Sequence, residues 1–429
     1  MAPPRPHTHA RARTRTTART TTAVLSGLAV LATAGCGSGF GSSGGQQQTR
    51  AGNQRLTVLI APSSTAETTA VKQAVAGYEK TSGNQVTVQT AADINQQLGQ
   101  AFSGGNPPDV FYVNSDQFAN YAQGGSLYPY GDKIWNLDAY PKSLLASFSN
   151  DGKQTCVPKD GSSLALAVNP KLWKAAGLTD KDHPRTWDDL ERVAKKLTKG
   201  KVTGLVTSEE YQRLGAFMKQ AGGWVTNASQ TTMTADSKAN EKGLDFVKKG
   251  LNAGWWKFSK QVDALNAGEA FGQGKAAMTI EGSWLDGQLA HDYPDTDYKL
   301  FDLPEGPGGK GNLAFTTCWG VAQKSRHRDA AVDLVQYLST SEQQQAMAEK
   351  FGAIPVRESS AEAYFARHPE FEPWSPMAKG VQGPTTVKGM DKPLAQFNSE
   401  LLNLRSAAPK TILGNLQHNG EPVIKEAQR

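Results

Sequence analysis

The first part of the chain alternates between two hydrophobic periods. Residues 55–61 form a short run rich in branched aliphatic side chains, whereas residues 66–80 carry apolar side chains at the spacing of one helical face. The same order repeats, with strands predicted over 85–90 and 108–113 around a helix over 93–103. This order is typical of a mostly parallel sheet with helices on both faces, and it predicts an α/β fold.

Polar side chains follow the first and third of these strands. Because ligands of open α/β sheets bind beyond the carboxyl ends of the strands, this edge is a candidate binding rim. Turn and helix-cap chemistry uses the same residue types and is the alternative for each of them. The rim comprises Ser63, Ser64, Thr65, Asn114, Ser115 and Asp116, and we expect ligand contacts from Ser63, Ser64, Asn114 and Asp116.

The second half of the chain continues the alternation. A helix is predicted to begin after Thr186, with Asp189 in the reciprocal capping position. Residues 276–280 form a buried strand that leads into a turn and then Trp284. Residues 312–323 are predicted to form a strand that re-enters the first lobe, and residues 329–350 one long amphipathic helix.

The N-terminal residues have the pattern of an export signal. The first 35 residues contain five arginines and no acidic residue, and an apolar run at 23–32 precedes the small residues at 33–35. A membrane-spanning helix needs about 20 apolar residues, so this run is too short to span a bilayer. We expect a lipoprotein signal peptide at 1–35.

Cys36 follows the small residues directly. Thr33-Ala34-Gly35-Cys36 resembles the lipobox of bacterial lipoproteins, in which the cysteine is lipidated, although Thr33 stands where that pattern prefers a branched aliphatic residue. An ordinary secreted protein with a free thiol is the alternative. The Gly-, Ser- and Gln-rich composition after it predicts a flexible tether at 36–54. We expect an exported chain anchored to the outer face of the cell membrane by the lipid on Cys36.

Charge and length set the class of protein. The formal net charge of +6 includes the five signal arginines, and without them 41 basic residues stand against 40 acidic ones. No later segment concentrates basic residues, so we expect no nucleic-acid partner. The remaining length exceeds the usual size of one hydrophobic core, which predicts two lobes.

Five segments in a fixed order carry a family resemblance. They are GKQTCVP and LALAVNPKLW within 152–173, RTWDDL at 185–190, AMTIEGSW at 277–284, WGV at 319–321 and GAIPVR at 352–357. Together they resemble the family 1 extracellular solute-binding proteins, the group that includes maltose-binding protein. The resemblance implies a two-lobe periplasmic-binding-protein-like fold with a multi-strand hinge and a ligand cleft. It also implies delivery of the ligand to a membrane permease driven by a separate ATPase.

The resemblance divides the chain into lobes that close around the ligand. We expect lobe 1 to contain 55–160 and 286–326, and lobe 2 to contain 161–285 and 327–429. Closure of this kind is absorbed at a few hinge residues. The sequence departs from the family pattern at Cys156, Cys318, Ser162 and Ser163, the two serines standing where some relatives hold an acidic ligand residue.

Two cysteines remain beyond Cys36. In an exported chain, Cys156 and Cys318 are expected to form a disulfide, with two buried free thiols as the alternative. In the architecture implied by the resemblance, both segments run through lobe 1 beside the hinge. The bond would therefore leave closure of the cleft unhindered.

Aromatic residues indicate the class of ligand. Sugars present apolar faces and many hydroxyls, so their sites combine aromatic rings with polar side chains. Trp284 matches the family tryptophan that stacks on ligand, Trp319 lies on the strand near the hinge, and Tyr211 is predicted in a loop at the cleft. Trp187 begins an amphipathic stripe and is expected in the core, whereas Trp255 and Trp256 fit either environment.

Catalytic and metal-binding motifs are absent from the sequence. It contains no His-Glu-x-x-His, no paired-cysteine zinc spacing and no phosphate-binding loop, so we expect no enzyme activity, cofactor or metal. The predicted function is capture of a mono- or oligosaccharide for an ABC importer permease. A binding protein for another polar solute, a solute-sensing lipoprotein and a secreted glycoside hydrolase that uses Glu209, Glu210 and Glu281 are the alternatives.

Overall fold

A computed structural model describes residues 53–428. The predicted signal peptide, Cys36 and most of the predicted tether lie outside these residues. No helix between residues 53 and 428 is long and apolar enough to cross a membrane.

The strands build a six-stranded sheet, a five-stranded sheet and one short hairpin. We call the region around the six-stranded sheet lobe 1 and the region around the five-stranded sheet lobe 2. In chain order the strands are β1 (Arg55–Ile60), β2 (Gln85–Thr90), β3 (Val110–Asn114), β4 (Ser149–Asn150), β5 (Lys153–Gln154), β6 (Val157–Ser163), β7 (Ala165–Val168), β8 (Thr203–Thr207), β9 (Trp256–Phe258), β10 (Ala276–Glu281), β11 (Lys299–Phe301), β12 (Asn312–Val321) and β13 (Val381–Gln382).

The helices cover both faces of the sheets. In chain order they are α1 (Thr65–Ser82), α2 (Ile94–Ser103), α3 (Ser115–Gln123), α4 (Lys142–Ala146), α5 (Pro170–Ala175), α6 (Trp187–Leu197), α7 (Tyr211–Gln220), α8 (Lys238–Ala253), α9 (Ala267–Gly272), α10 (Trp284–Asp292), α11 (Arg328–Leu338), α12 (Ser341–Phe351), α13 (Glu358–Arg367), α14 (Asp391–Leu401) and α15 (Pro409–Ala427). The α/β prediction is confirmed.

The sheet of lobe 1 has the strand order β13-β12-β3-β1-β2, with β6 also paired to β12. β1 pairs with β2 and β3 in parallel, as the alternating pattern predicts, whereas β12 is antiparallel to β3. Val58 and Ile60 of β1 are fully buried and pack with the apolar face of α1. The carboxyl ends of β1 and β3 therefore lie at one edge of the sheet.

The sheet of lobe 2 has the order β11-β7-β10-β8-β9. All six residues of central β10 are buried, as a strand covered on both faces requires. Helix α6 begins after Thr186, whose side chain and that of Asp189 form the predicted reciprocal cap. Trp187 packs against Phe246 and belongs to the core, as predicted.

The two lobes are joined by closely spaced crossings. Only Leu164 separates β6 of lobe 1 from β7 of lobe 2, and its backbone N–H and C=O both bond to the side chain of Asn312. β12 runs alongside β6 and continues into lobe 1, where it pairs with β3. A third crossing pairs Ile354 with Gly161. These strands form the multi-strand hinge that the family resemblance implies.

Gly161 lies at the crowded centre of this hinge. A Cβ atom at this position would stand 2.9 Å from Cγ of Pro376 and 3.1 Å from Cγ1 of Val356. Contacts this short are not sustained by real side chains, so the crossings can approach each other only because residue 161 is glycine.

The structure contains the predicted disulfide between Cys156 and Cys318. The two Cα atoms are 5.8 Å apart, within the usual range for a disulfide, and both side chains are buried in the core of lobe 1. Cys318 lies on β12 and Cys156 immediately before β6, so the bond fixes these two segments together at the lobe 1 side of the hinge.

The structure corrects the predicted lobe boundaries in two places. Helices α11 and α12 pack on the core of lobe 1 through residues such as Val335 and Phe351, although 327–429 was assigned to lobe 2. Residues 286–311 contain β11, which pairs with β7 in lobe 2, although they were assigned to lobe 1. The apolar faces of these elements are clear in the sequence, but amphipathicity does not identify the core that an element joins.

The predicted helix over 329–350 is also corrected. It is two helices, α11 and α12, because Thr340 adopts an extended backbone and its hydroxyl accepts a hydrogen bond from the N–H of Gln343. The cap ends one helix and begins the next, and this allows both to pack against α1.

Candidate ligand-binding site

A cavity of about 350 Å³ lies where the two lobes and β12 meet. Its volume falls within the range of small-molecule sites. Lobe 1 contributes the end of β3 and the start of α3, and lobe 2 contributes the start of α7 with Trp224 and Trp284. Residues 313–317 of β12 line the side between them, and residues 382–384 complete the wall.

A buried ion pair forms the floor on the lobe 2 side. Arg213 on α7 contacts Glu281 at the end of β10, with 2.6 Å between Nη2 and Oε2 and 3.1 Å between Nε and the same oxygen. The indole Nε1 of Trp284 donates to Oε2 as well, at 2.7 Å. Burial lowers the pKa of the Arg213 guanidinium, whereas the Glu281 carboxylate raises it. The net change is an increase, so Arg213 is held as a cation.

Trp284 is positioned by this pair and by its neighbours. The Arg213 guanidinium lies 5.0 Å from the centre of the indole, and the Phe315 ring meets the indole edge to face at 5.2 Å. A Cβ atom at residue 282 would overlap the indole, so Gly282 allows the ring to lie back over the turn. Trp284 and Phe315 thus present two apolar ring surfaces beside a set of charged groups.

The lobe 1 wall presents polar side chains. Oδ1 of Asp116 is buried at the cavity and has no hydrogen-bond partner among the described residues. Burial raises the pKa of Asp116, backbone N–H groups of Asp116 and Gln117 lower it, and the nearby Asp391 carboxylate raises it, with a net increase. Asn114 is exposed, and its Oδ1 accepts a hydrogen bond from the Thr317 hydroxyl at 3.2 Å.

Tyr211 lines the cavity from the first residue of α7, and the prediction of a loop at this position is wrong. Its backbone N–H donates to Oδ1 of Asn398 on α14 at 2.7 Å, and its ring packs near Phe397. Burial raises the pKa of the Tyr211 hydroxyl, and the Asp116 and Glu210 carboxylates raise it further. This tyrosine is therefore a neutral hydroxyl.

Ser63 and Ser64 do not line this cavity, which corrects their prediction as ligand contacts. The Ser63 N–H and hydroxyl both donate to Oε2 of Glu67, at 2.7 and 2.9 Å, and the Ser64 hydroxyl caps α1. Their polar groups are used in the turn and the helix cap, the alternative that the sequence left open for them.

A buried charge cluster lies behind these serines. The Lys159 ammonium on β6 contacts the carboxylates of Glu67 and Asp160, and the Tyr112 hydroxyl donates to Glu67 at 2.8 Å. Burial raises the pKa of Glu67, but Lys159, Ser63 and Tyr112 lower it, with a net decrease. Glu67 is thus a stabilised carboxylate that joins α1 to the hinge strand.

Trp319 is corrected as a predicted ligand contact. None of its surface is exposed, and its ring packs edge to face against Tyr112 at 5.0 Å in the core of lobe 1. It lies two residues beyond Thr317, the last β12 residue that lines the cavity, where β12 is paired with both β3 and β6. Trp255 and Trp256, for which the sequence left core and cleft positions open, are also buried in the core.

Four predicted residues line the cavity: Asn114, Asp116, Tyr211 and Trp284. The sequence reasoning missed Arg213, Phe315 and Trp224 as lining residues. Arg213 stands two residues after Tyr211, but only the fold brings it to Glu281. Phe315 lies within the predicted strand at 312–323, where period-2 alternation places it on the same face as Leu313 and Thr317.

Residues 53–428 contain no group of three His, Cys, Asp or Glu side chains arranged to hold a metal ion. Glu209 and Glu281, which the hydrolase alternative would use, are both engaged by other groups and do not line the cavity. Glu281 is engaged by Arg213 and Trp284, and Glu209 by the Ser259 hydroxyl and the Lys260 ammonium. The arrangement can hold a polar ligand with apolar faces through aromatic contacts and hydrogen bonds.

Comparison with curated proteins gives relatives of similar sequence. The diacetylchitobiose binding protein DasA of Streptomyces coelicolor is 25% identical over 292 residues, which cover 63% of this chain and 66% of DasA, just under two thirds of its length. A maltooligosaccharide ABC transporter solute-binding lipoprotein of Streptococcus pneumoniae is 26% identical over 311 residues, covering 67% of this chain and 69% of that protein.

Solved structures match the fold over almost the whole described chain. The ABC substrate-binding protein Lmo0181 from Listeria monocytogenes, solved with cycloalternan, superposes with a TM-score of 0.77 at 23% identity, over 88% of this chain and 99% of that one. The GacH receptor of Streptomyces glaucescens gives a TM-score of 0.78 at 22% identity, over 87% of this chain and 99% of that one. These matches support the two-lobe architecture.

The family assignment rests on a direct match to the sequence. The family model described as bacterial extracellular solute-binding protein matches residues 73–373, which is more than half of the chain. The matched range includes the hinge, both sheets apart from β1 and β13, and all of the cavity wall except residues 382–384. The chain belongs to the family of bacterial extracellular solute-binding proteins.

Proposed function

We propose that this chain captures a carbohydrate in the cavity between its lobes and delivers it to the permease of an ABC importer. The observation that carries the proposal is the site around Trp284 and Phe315, whose rings stand beside the Arg213–Glu281 pair. Aromatic rings match the apolar faces of sugars, and the charged groups match their hydroxyls. The cavity opens beside hinge strands, where closure of the lobes would enclose a ligand.

Two relatives named above support a carbohydrate rather than another solute. Their names specify diacetylchitobiose and maltooligosaccharide, and the solved structures were determined with cycloalternan and with acarbose. All are saccharides or saccharide-like molecules. We extend this ligand class to the present chain because its cavity combines aromatic and hydrogen-bonding groups.

The proposed location is the outer face of the cell membrane, with the chain exported and anchored through a lipid on Cys36. The small residues before Cys36 and the apolar run at 23–32 support this location. A relative described as a solute-binding lipoprotein supports it as well. Anchoring would keep the binding lobes within reach of a membrane permease.

Hydrolysis of the ligand is disfavoured as the function. A retaining or inverting glycosidase needs two carboxyl groups that flank the scissile bond and are free to transfer protons or attack. Glu281 is held by Arg213 and Trp284, and Glu209 by Ser259 and Lys260. We therefore propose reversible binding without turnover.

Uptake measurements test delivery directly. Cells that lack this gene should accumulate a labelled saccharide ligand at a strongly reduced rate, and the wild-type gene should restore uptake. A Trp284→Ala gene should restore less uptake at low ligand concentration, because capture is weakened. Undiminished uptake without the gene, combined with loss of a transcriptional response to the sugar, would support the sensing role instead.

A further inference from the structure

Asp116 is the single Asp or Glu among the described residues that line the cavity, and it forms no salt bridge with the lining cation Arg213. Asp116 lines the cavity, and its Oδ1 is buried with no hydrogen-bond partner in the described part of the chain. Glu210 precedes the lining residue Tyr211 and forms the N-cap position of α7. Both carboxylates lie close enough to the Tyr211 hydroxyl to raise its pKa, after the larger effect of burial.

The Asp391 carboxylate lies near Asp116 without lining the cavity. The backbone N–H of Gly389 donates to Oδ1 of Asn120 at 2.9 Å, which brings the start of α14 onto α3. Asn120 lies four residues after Asp116 on α3, so the two side chains share one helix face. Asp391 begins α14 two residues after Gly389, and its carboxylate lies within electrostatic range of Asp116.

The cation of the cavity already has carboxylate partners, because Glu281 binds Arg213 and the Glu210 carboxylate lies near it. Arg213 is the single Lys, Arg or His among the described residues that line the cavity, and it is engaged by Glu281. Asp116, Glu210 and Asp391 form no salt bridge with a Lys or Arg within residues 53–428. A carboxylate that loses solvent without a cationic partner is costly, and lobe closure over a neutral ligand would increase that cost.

We infer that the ligand of this cavity carries an amino group, so that its class is an amino sugar or an oligosaccharide with a free amine, bound with its ammonium at Asp116. The inference rests on the proposed carbohydrate function and specifies the substrate class. An ammonium supplies three donors and a positive charge, and its hydrogen bonds to a carboxylate are about twice as strong as neutral ones. A neutral sugar hydroxyl would satisfy Oδ1 of Asp116 but would leave the negative charge of this carboxylate without a cationic partner.

The rest of the cavity fits the same ligand. Trp284 and Phe315 supply apolar ring surfaces for the sugar, and Arg213 offers hydrogen-bond donors for hydroxyls. The ligand would therefore place its carbohydrate faces toward lobe 2 and its amine toward α3 of lobe 1. Both lobes then contribute to binding, as closure requires.

Isothermal titration of the full chain with three β-1,4-linked disaccharides tests the inference. Chitobiose has free amines, diacetylchitobiose has neutral amides, and cellobiose has hydroxyls at the same positions. We expect chitobiose to bind at least ten-fold more tightly than the other two at neutral pH and low salt. Added salt should weaken its binding and leave cellobiose binding nearly unchanged, because only the amine forms an ion pair.

Two variants test whether the preference for an amino sugar depends on Asp116. Asp116→Asn should bring the affinities for chitobiose and cellobiose to within about three-fold, while Asp138→Asn, at an exposed site in lobe 1, should retain the wild-type preference. Equal affinities in the wild type, or tighter binding of any neutral saccharide than of its amino analogue, would overturn the inference and leave the carbohydrate function intact. Failure of every neutral and amino saccharide in a broad panel to bind would overturn both.

Discussion

The indole N–H of Trp284 donates to Oε2 of Glu281 at 2.7 Å, the same carboxylate oxygen that receives two hydrogen bonds from Arg213. This shared acceptor fixes the indole at the cavity wall before a ligand arrives. The ring is therefore part of a prearranged surface, and its removal should affect binding more than folding.

Trp284→Ala should weaken carbohydrate binding by about 1–3 kcal/mol, by analogy with other aromatic stacking. The empty variant should lose less stability than a core tryptophan variant, because Trp284 lies only partly buried at the cavity. Trp319→Ala is the matched control and should lower the free energy of unfolding by about 3–5 kcal/mol. Calorimetric affinity and denaturant unfolding of both variants measure this, and unchanged affinity with a large loss of stability in Trp284→Ala would place Trp284 in the core.

Glu67 should make folding stability depend on pH in the acidic range. Its folded-state pKa lies below its ordinary value of 4.5, so the ionised carboxylate stabilises the fold above that pH. This contribution should be lost as the pH falls through the lower folded-state value. Glu67→Gln should therefore lose about 1–3 kcal/mol at pH 7, because Lys159 loses one of its two carboxylate partners and keeps Asp160.

Urea unfolding of wild type and Glu67→Gln at a series of pH values measures this difference. The difference between the two proteins in the free energy of unfolding should be largest at pH 7. It should decrease below about pH 4.5 as the wild-type carboxylate becomes protonated. Glu79→Gln, on the same helix α1, serves as a comparison for a general charge effect. A gap that is constant over the whole range would show that Glu67 does not titrate on unfolding.

The Cys156–Cys318 disulfide should stabilise the protein by restricting the unfolded chain. The two cysteines are separated by 162 residues, for which the chain-entropy model gives about 5 kcal/mol. A Cys156→Ala/Cys318→Ala double variant should have a lower unfolding midpoint but nearly unchanged ligand affinity, because the bond lies within lobe 1. Mass spectrometry of the non-reduced mature chain checks the premise, and two alkylatable thiols there would refute it.

Lipidation of Cys36 remains a prediction, because this residue lies outside the described part of the chain. Cys36→Ser should move the protein from the membrane fraction to the medium or the soluble extracytoplasmic fraction. Substitution of a neighbouring serine, Ser38→Ala, should leave membrane retention unchanged. Retention of Cys36→Ser in the membrane fraction would exclude a lipid anchor at this cysteine.

The elements of lobe 1 could be predicted from the sequence because their information is local. The β-rich runs that became β1, β2 and β3 alternate with amphipathic helices, and the parallel pairing follows from that order. The break at Thr340 had a readable signal as well. Thr340 and Gln343 have capping-box spacing, which competes with the uninterrupted apolar stripe on either side of it.

The partition of elements between lobes could not be predicted in the same way. β12 begins in contact with the core of lobe 2 at Leu313 and ends in the core of lobe 1 at Val321. An apolar stripe on the following helix is compatible with either core. Only the long-range packing against α1 assigns that helix to lobe 1.

The residues of the site that follow from local sequence order were predictable, whereas those that depend on long-range packing were not. Asn114 ends β3 and Asp116 stands two residues later, so the topology rule for ligand sites identified them from sequence order. Trp284 and Trp319 both lie near strand ends, but Trp319 stands beyond the cavity, where β12 lies between β3 and β6 in the core of lobe 1. Arg213 and Glu281 are 68 residues apart, and no local pattern predicts their contact.

The central claim is that this protein binds a carbohydrate between its lobes and releases it unchanged. Thermal unfolding with a panel of neutral and amino saccharides tests it most directly, with chromatography of the recovered ligand. A ligand at 100 times its dissociation constant should stabilise the fold by about 2.7 kcal/mol, and the same saccharide should be recovered intact. Absence of stabilisation by every saccharide, or recovery of cleaved sugar, would contradict the claim.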